Sequence, residues 1–188
     1  MTQPEVDERV RRWADEAWPL RFKSHSFGVR CWNVQRCSVI YDNYEHGTVD
    51  PYIYTLDVYL SAGAPPNPDW KDRWSGRYTP YRSDLLTPVE IAWISLDGGE
   101  HTTTVDLDAI FKDRLVLHKV KREDIPLVYL VAWGKGESLS VDILLEVNDR
   151  MVNVYSRAAI VVGDREDLDD IDKRDTRYDL ILAWTHTY

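Results

Sequence analysis

The chain has 188 residues, a formal net charge of −9 and 44% hydrophobic residues. This length fits a single domain, residues 1–188, and the apolar content excludes an intrinsically disordered chain. Because nucleic acids and membrane surfaces are anionic, the negative charge opposes binding to either and favours a basic protein partner.

The first predicted element is an amphipathic helix at the N-terminus. Thr2 and Glu5 have the spacing of a capping box, and Pro4 suits a first helical turn. Apolar residues then recur at helical spacing, at Val6, Val10, Trp13, Ala14, Ala17 and Trp18. We expect this stripe to pack on a sheet. No secretory signal pattern is recognised, and no apolar run approaches the roughly 20 residues of a membrane span.

Cys31 and Cys37 are the two cysteines of the chain. Along one straight strand they would lie roughly 20 Å apart, which exceeds the reach of a disulfide. The residues between them include no Gly or Pro to signal a tight turn. We therefore expect two reduced thiols, which favours a cytoplasmic protein.

Two extended segments are predicted next. Residues 26–43 have few helix signals, and residues 51–60 alternate in the manner of a strand with one buried face. We expect these two segments to form a hairpin.

The connection from residue 61 to residue 87 is longer than most loops of compact domains. Residues 65–84, here called the aromatic loop, combine prolines with large aromatic and basic side chains. Because tryptophan, tyrosine and arginine dominate protein interfaces, we predict protein-binding residues here at Trp70, Trp74, Arg77, Tyr78, Tyr81 and Arg82. Two alternatives stay open. The tryptophans form a small satellite core, or the rings stack on the bases of a single-stranded nucleic acid.

The rest of the chain is predicted to be mainly strands. Residues 88–96 allow a helix or a strand, and the hairpin turn at 97–99 favours a strand. Asp106 or Asp108 is expected to cap a short helix. Four further strands are predicted at 126–134, 138–147, 150–162 and 178–188, the first three as consecutive antiparallel neighbours. The fold class is therefore α+β, with the N-terminal amphipathic helix packed on a largely antiparallel β-sheet and one long aromatic, proline-rich loop.

Catalytic signatures are not recognised in the sequence. None of the five histidines has the spacing of a zinc site, and we predict no metal and no cofactor. His46 lies near Glu45 and Asp50, and His101 follows Glu100. Each group is a candidate acid–base cluster or, alternatively, part of a solvated turn.

A charged segment at 164–177 contains seven acidic and four basic residues. Its spacing does not fit an EF-hand. We predict a second candidate protein-binding surface here, formed by Asp167, Asp169, Asp170 and Asp172. A solvated loop and a calcium site are the alternatives.

The combined profile is small, acidic, single-domain and β-rich, without a catalytic signature. It resembles the profile of immunity proteins that neutralise secreted bacterial toxins. The resemblance implies a non-enzymatic bacterial protein that inhibits a partner by occlusion. One alternative is a hydrolase or transferase with carboxylate–histidine chemistry near His46 or His101. Another is a structural component of a phage or secretion assembly that associates through exposed strand edges.

Overall fold

Two four-stranded β-sheets dominate the computed structural model, which describes residues 3–46, 63–163 and 174–188. The strands are β1 (Ser24–Trp32), β2 (Val34–Tyr41), β3 (Tyr44–Glu45), β4 (Val89–Ser95), β5 (Glu100–Val105), β6 (Ser140–Asn148), β7 (Met151–Ala158), β8 (Ile160–Val162), β9 (Asp175–Arg177) and β10 (Leu180–Thr187). The first sheet has the strand order β1-β6-β7-β10, and the second sheet has the order β3-β2-β4-β5. Strands β8 and β9 form a separate pair. The fold is mixed α+β, with mainly antiparallel sheets.

The first sheet contains one parallel pair that the sequence did not predict. Strand β1 runs parallel to β6, whereas β6 with β7 and β7 with β10 are antiparallel. The hairpin between β6 and β7 turns at Asp149 and Arg150, one residue later than predicted, because Asn148 still pairs with Met151. The predicted strand at 150–162 is divided at Ala159 into β7 and β8, and β8 leaves the first sheet to pair with β9.

The two sheets bury their inner faces in one shared core. Side chains of β1, β2, β4, β6 and β7 meet there, including Phe27, Val39, Ile91, Ile143 and Val154. Each is almost fully buried, so each contributes about 1.5–3 kcal/mol to the free energy of unfolding. Because side chains of a strand alternate between two faces, the intervening residues of the first sheet point to its outer face.

The helices are α1 (Gln3–Glu16), α2 (Leu107–Ile110) and α3 (Leu127–Gly134). Helix α1 packs mainly against α3, so the predicted packing of α1 on a sheet is not confirmed. The two helices cross closely at Gly134, where a Cβ atom would overlap the carbonyl oxygen of Trp13. Ala14 and Ala17 follow this crossing and reach the shared core.

The prediction of a strand at 126–134 is wrong, since this segment forms α3. Its residues are almost all apolar, and periodicity cannot distinguish a short buried helix from a short buried strand. The helix begins directly after Pro126 and packs on α1, so tertiary packing overrides the β preference of its valines.

The prediction of a strand at 88–96 is confirmed. Strands β4 and β5 form an antiparallel hairpin around the turn at 97–99, with Gly98 at a positive φ of 84°. Asp106 caps α2, because its side chain accepts a hydrogen bond from the backbone N–H of Ala109 at 3.0 Å.

The prediction of two reduced cysteines is wrong, since Cys31 and Cys37 pair as a disulfide with their Cα atoms 6.5 Å apart. The chain does not continue as one strand between them. Asn33 adopts a positive φ of 52° and separates β1 from β2, which belong to different sheets. Asparagine tolerates this left-handed conformation, so the turn needs neither Gly nor Pro.

Within the described part of the chain, no helix is long and apolar enough to cross a membrane. The predicted hairpin partner at 51–60 and the acidic residues Asp167, Asp169, Asp170 and Asp172 lie outside the described residues.

Candidate functional site

The aromatic loop lies on the outer face of the first sheet. A short 3₁₀ turn at Trp70–Arg73 leads into Trp74, whose side chain is only 3% exposed. Trp74 packs with Leu144 of β6 and Tyr155 of β7 in a second, smaller core cluster. Trp70 is half-buried beside it, with the two ring centroids 5.0 Å apart. The loop therefore has a hydrophobic anchor of its own.

The backbone of the loop continues along the free edge of β1. The N–H of Phe27 donates to the carbonyl oxygen of Tyr78 at 2.7 Å, and the N–H groups of Arg77 and Tyr78 donate to the carbonyl oxygen of Phe27 at 3.1 Å. This approach requires small residues on both sides. A Cβ atom on Gly76 would overlap the side chain of Ser26, and one on Gly28 would lie 3.0 Å from the carbonyl oxygen of Ser75.

A buried arginine fastens the loop to β7. The guanidinium group of Arg157, a residue only 8% exposed, donates to the carbonyl oxygens of Lys71 and Trp74 at 2.6 Å each and of Asp72 at 3.2 Å. Arginine presents several donors in a rigid plane, so one side chain holds three consecutive parts of the turn. The two terminal nitrogens of Arg157 donate to the protein's own backbone, while its Nε has no acceptor among the described residues.

A buried carboxylate provides the second polar anchor. Glu146 of β6 is 2% exposed, and its Oε2 atom accepts hydrogen bonds from Lys71 at 2.9 Å, Tyr155 at 2.8 Å and Asn153 at 3.1 Å. Burial disfavours the charge of Lys71, but Glu146 and Tyr155 outweigh this and raise the pKa of Lys71. Burial raises the pKa of Tyr155. Lys71 and Glu146 therefore compensate each other as an ion pair.

The predicted residues of the loop divide between an inner and an outer side. Trp74 is buried, and Tyr78 is half-buried with its hydroxyl group donating to Asp42 at 2.9 Å. Tyr81 is 96% exposed, and Arg77 and Arg82 are exposed beside it in the sequence. Arg82 forms an exposed ion pair with Asp84 at 3.3 Å, which contributes little to stability. The outer side thus presents large side chains that the fold does not use.

A cleft of about 640 Å³ opens where the loop meets β1. Its walls are Arg30 and Trp32 of β1 on one side and residues 66–74 of the loop on the other. The rings of Trp32 and Trp70 meet edge to face, with centroids 5.1 Å apart. We call this space the loop cleft.

Sequence reasoning missed Arg30, Trp32, Glu146 and Arg157. A usable signal existed: Glu146 and Arg157 are charged residues within otherwise apolar runs, where a strand with one solvated or covered face is expected. Local sequence patterns do not indicate what covers that face, because the parallel pairing of β1 with β6 joins distant segments.

His25 was also missed as a structural group. It is 1% exposed; its Nδ1 lies 2.7 Å from the carbonyl oxygen of Ser83 and its Nε2 lies 2.6 Å from the hydroxyl group of Tyr41. Since a carbonyl oxygen only accepts, Nδ1 donates and Nε2 accepts. Burial lowers the pKa of His25 and raises that of Tyr41 to about 12. Neutral His25 therefore fastens the loop at Ser83.

The two histidine clusters proposed from the sequence have different surroundings. His46 packs against the rings of Phe27, Tyr41 and Tyr78, and burial lowers its pKa. Glu45 accepts a hydrogen bond from Ser38 at 2.7 Å. This geometry makes His46 part of an aromatic cluster beneath the loop.

His101 stacks on Trp93, and its Nε2 lies 3.1 Å from the hydroxyl oxygen of Ser95. Ser95 also lies 2.5 Å from the Asp97 carboxylate, which only accepts, so its proton points to Asp97. His101 then donates to Ser95 and does not act as its base. Hydrogen bonds from Ser95 and Gly99, with the nearby Arg150, lower the pKa of Asp97 to about 2. The cluster closes the β4–β5 turn.

The described residues contain no group of three His, Cys, Asp or Glu side chains placed to hold a metal ion. Comparison with protein-family models, with curated proteins and with solved structures gave no match.

Proposed function

We propose that the protein is a non-enzymatic protein-binding protein whose binding surface is the outer side of the aromatic loop. The observation that carries this proposal is the contrast between the two sides of the loop. Trp74, Arg157 and Glu146 hold the inner side, whereas Tyr81 on the outer side is 96% exposed. A fixed loop that exposes a large aromatic side chain is typical of a preorganised interface.

Two physical arguments support this interpretation. Tyrosine and arginine bury a large area on binding at low entropic cost, and they are enriched among the residues that dominate interfaces. A loop that is already held in one conformation loses little further entropy when a partner binds. Tyr81, Arg77 and Arg82 meet both conditions, while Trp74 supports the loop from below.

The charge of the surface guides the choice of partner. The net charge of −9 led to the expectation of a basic partner. The exposed arginines Arg73, Arg77 and Arg82 make the loop itself locally basic, so we propose that the partner is acidic where it meets the loop. Inhibition would then follow from occlusion, if the partner's own functional site lies under the loop.

The proposal is tested by affinity capture from the native host with the tagged full chain as bait, followed by mass spectrometry and by affinity measurements with the purified partner. The double variant Tyr81→Ala with Arg82→Ala removes the exposed anchors. Tyr178→Ala is the matched control, since Tyr178 is 60% exposed and lies outside the loop. We expect the double variant to weaken binding by about 30-fold or more, as for interface hot spots.

Two results would overturn the proposal. One is a stoichiometric partner that binds the double variant as tightly as it binds the wild type. The other is a folded bait that captures no partner, which would favour the alternative of an enzyme acting on small molecules.

We also propose a cytoplasmic location. Reduced cysteines no longer support it, because Cys31 and Cys37 form a disulfide, and disulfides are more usual in oxidising compartments. Alkylation of the protein inside its host decides the matter. Two alkylated cysteines support the cytoplasm, and two protected cysteines contradict it.

A further inference from the structure

The loop cleft is lined by an arginine of β1 that no carboxylate pairs with. Within residues 3–46, 63–163 and 174–188, neither Arg30 nor Arg73 of the cleft forms an ion pair. Arg30 is half-buried, and its guanidinium group donates to the carbonyl oxygen of Val29 at 2.9 Å. Burial and the neighbouring charge of Arg77 lower the pKa of Arg30. Arg30 is therefore a partly desolvated cation that faces a like charge.

The other charged groups at the cleft do not change this. Lys71 is compensated by Glu146. Asp69 and Asp72 line the cleft but are exposed, so water and salt screen their carboxylates. Both aspartates are exposed, whereas Arg30 of β1 is half-buried. An anion that enters the cleft would replace water around Arg30 at a lower effective dielectric than at the rim.

The polar groups left without a partner on this side are hydrogen-bond donors. In the described part of the chain, the buried indole N–H groups of Trp32 and Trp74 have no acceptor, and both residues line the cleft. Indole and guanidinium groups donate only. The half-buried ring of Trp32, edge to face with Trp70, adds apolar surface next to these donors. The site therefore matches a ligand group that accepts hydrogen bonds, carries negative charge and has apolar neighbours.

We infer that the loop cleft binds a carboxylate side chain of the partner protein, with Arg30 as its principal donor and with the residue next to that carboxylate packed on Trp32 and Trp70. This inference rests on the proposed function and names its anchor. It concerns the cleft beside β1, which is distinct from Tyr81 and Arg82 on the outer side of the loop. A carboxylate accepts two parallel hydrogen bonds from a guanidinium group, so Arg30 would provide specificity as well as charge.

The experiment uses the full chain labelled with ¹⁵N and two blocked pentapeptides as probes. The acidic probe is acetyl-Gly-Glu-Phe-Glu-Gly-amide, and the matched neutral probe has Gln in place of both Glu residues. We expect the acidic probe to shift the indole N–H signals of Trp32 and Trp70. The affinity of the neutral probe is expected to be lower by at least about tenfold, which is the effect of losing a charge-assisted hydrogen bond.

Three variants complete the test. Arg30→Gln is expected to abolish the shifts, and Arg73→Gln, at an exposed position that leaves the fold intact, is expected to weaken them. Arg11→Gln, on the exposed face of α1, is the matched control and should leave them unchanged. If Arg30→Gln does not fold, the Arg73→Gln variant and the comparison of the two probes still show whether the cleft binds a carboxylate.

Three outcomes would overturn the inference: equal binding of both probes, binding of neither at millimolar concentration, or stronger shifts of the same indoles by a single-stranded oligonucleotide. The last would instead favour the nucleic-acid platform considered from the sequence. None of these outcomes touches the proposed function, because the variants of Tyr81 and Arg82 test that separately.

Discussion

Trp74→Ala distinguishes a buried support from an exposed binding anchor. Trp74 is only 3% exposed, and its indole ring packs on Leu144, Trp70 and Tyr155. Truncation of a buried tryptophan costs about 3–5 kcal/mol, because apolar contacts are lost and a cavity remains. This is a large fraction of the roughly 5–15 kcal/mol that stabilises a domain. For a domain of this size the expected fall in melting temperature is about 6–20 °C.

The assay is equilibrium unfolding in urea, with hydrogen exchange of the backbone amides at residues 74–78. We expect a lower urea midpoint and faster exchange in this segment. Trp70→Ala is the matched control in the same loop, and it should cost about half as much, since Trp70 is only half-buried. A Trp74→Ala protein that unfolds like the wild type and retains slow exchange would refute the assignment of Trp74 to the core.

Single contacts elsewhere give three more expectations. Gly134→Ala should lower the melting temperature, because its methyl group would overlap the carbonyl oxygen of Trp13; an unchanged melting curve would contradict the close helix crossing. Arg157→Lys keeps the charge but not the planar donor group, so exchange should accelerate at residues 71–74 and stay slow in β6. The pKa is lowered by burial at His25, His46 and His118. The free energy of unfolding should be highest above pH 6.5 and fall as the pH drops below it, since these histidines then bind more protons in the unfolded chain than in the folded one. A urea midpoint that stays constant from pH 8 to 5 would contradict this.

Local patterns predicted the parts of the fold that local interactions decide. The β4–β5 hairpin follows from β-forming residues around a Gly-Gly turn, and the cap of α2 follows from Asp106. Local patterns failed where distant segments decide the structure. Helix α3 has the composition of a strand and is helical because α1 packs against it. The turn at Asn33 was missed because a left-handed asparagine carries no strong sequence signal.

The candidate site shows the same division. The composition of the aromatic loop correctly indicated an unusual segment, but not which of its side chains face inward. That depends on Arg157 and Glu146, which lie more than 70 residues away in the sequence and are brought together by the pairing of β6 with β7. Trp70 and Trp74 lie in one short turn, yet their burial differs. Trp74 belongs to the buried cluster with Leu144 and Tyr155, whereas Trp70 is only partly buried against that cluster.

Hydrogen bonds from the first sheet hold the loop, which ties the binding surface to the fold. Without the loop carbonyls, the guanidinium group of Arg157 would be buried with unsatisfied donors. Without Arg157, the carbonyl oxygens of Asp72 and Trp74 would lose its N–H groups, whereas that of Lys71 would keep the N–H of Trp74 at 3.2 Å. Substitutions on the inner side should therefore reduce stability and binding together. Substitutions at Tyr81 or Arg82 should reduce binding alone, because these side chains contribute little to the fold. A preorganised interface requires that stability depends on the inner side of the loop and binding on its outer side. A satellite core without a partner would show only the effect on stability.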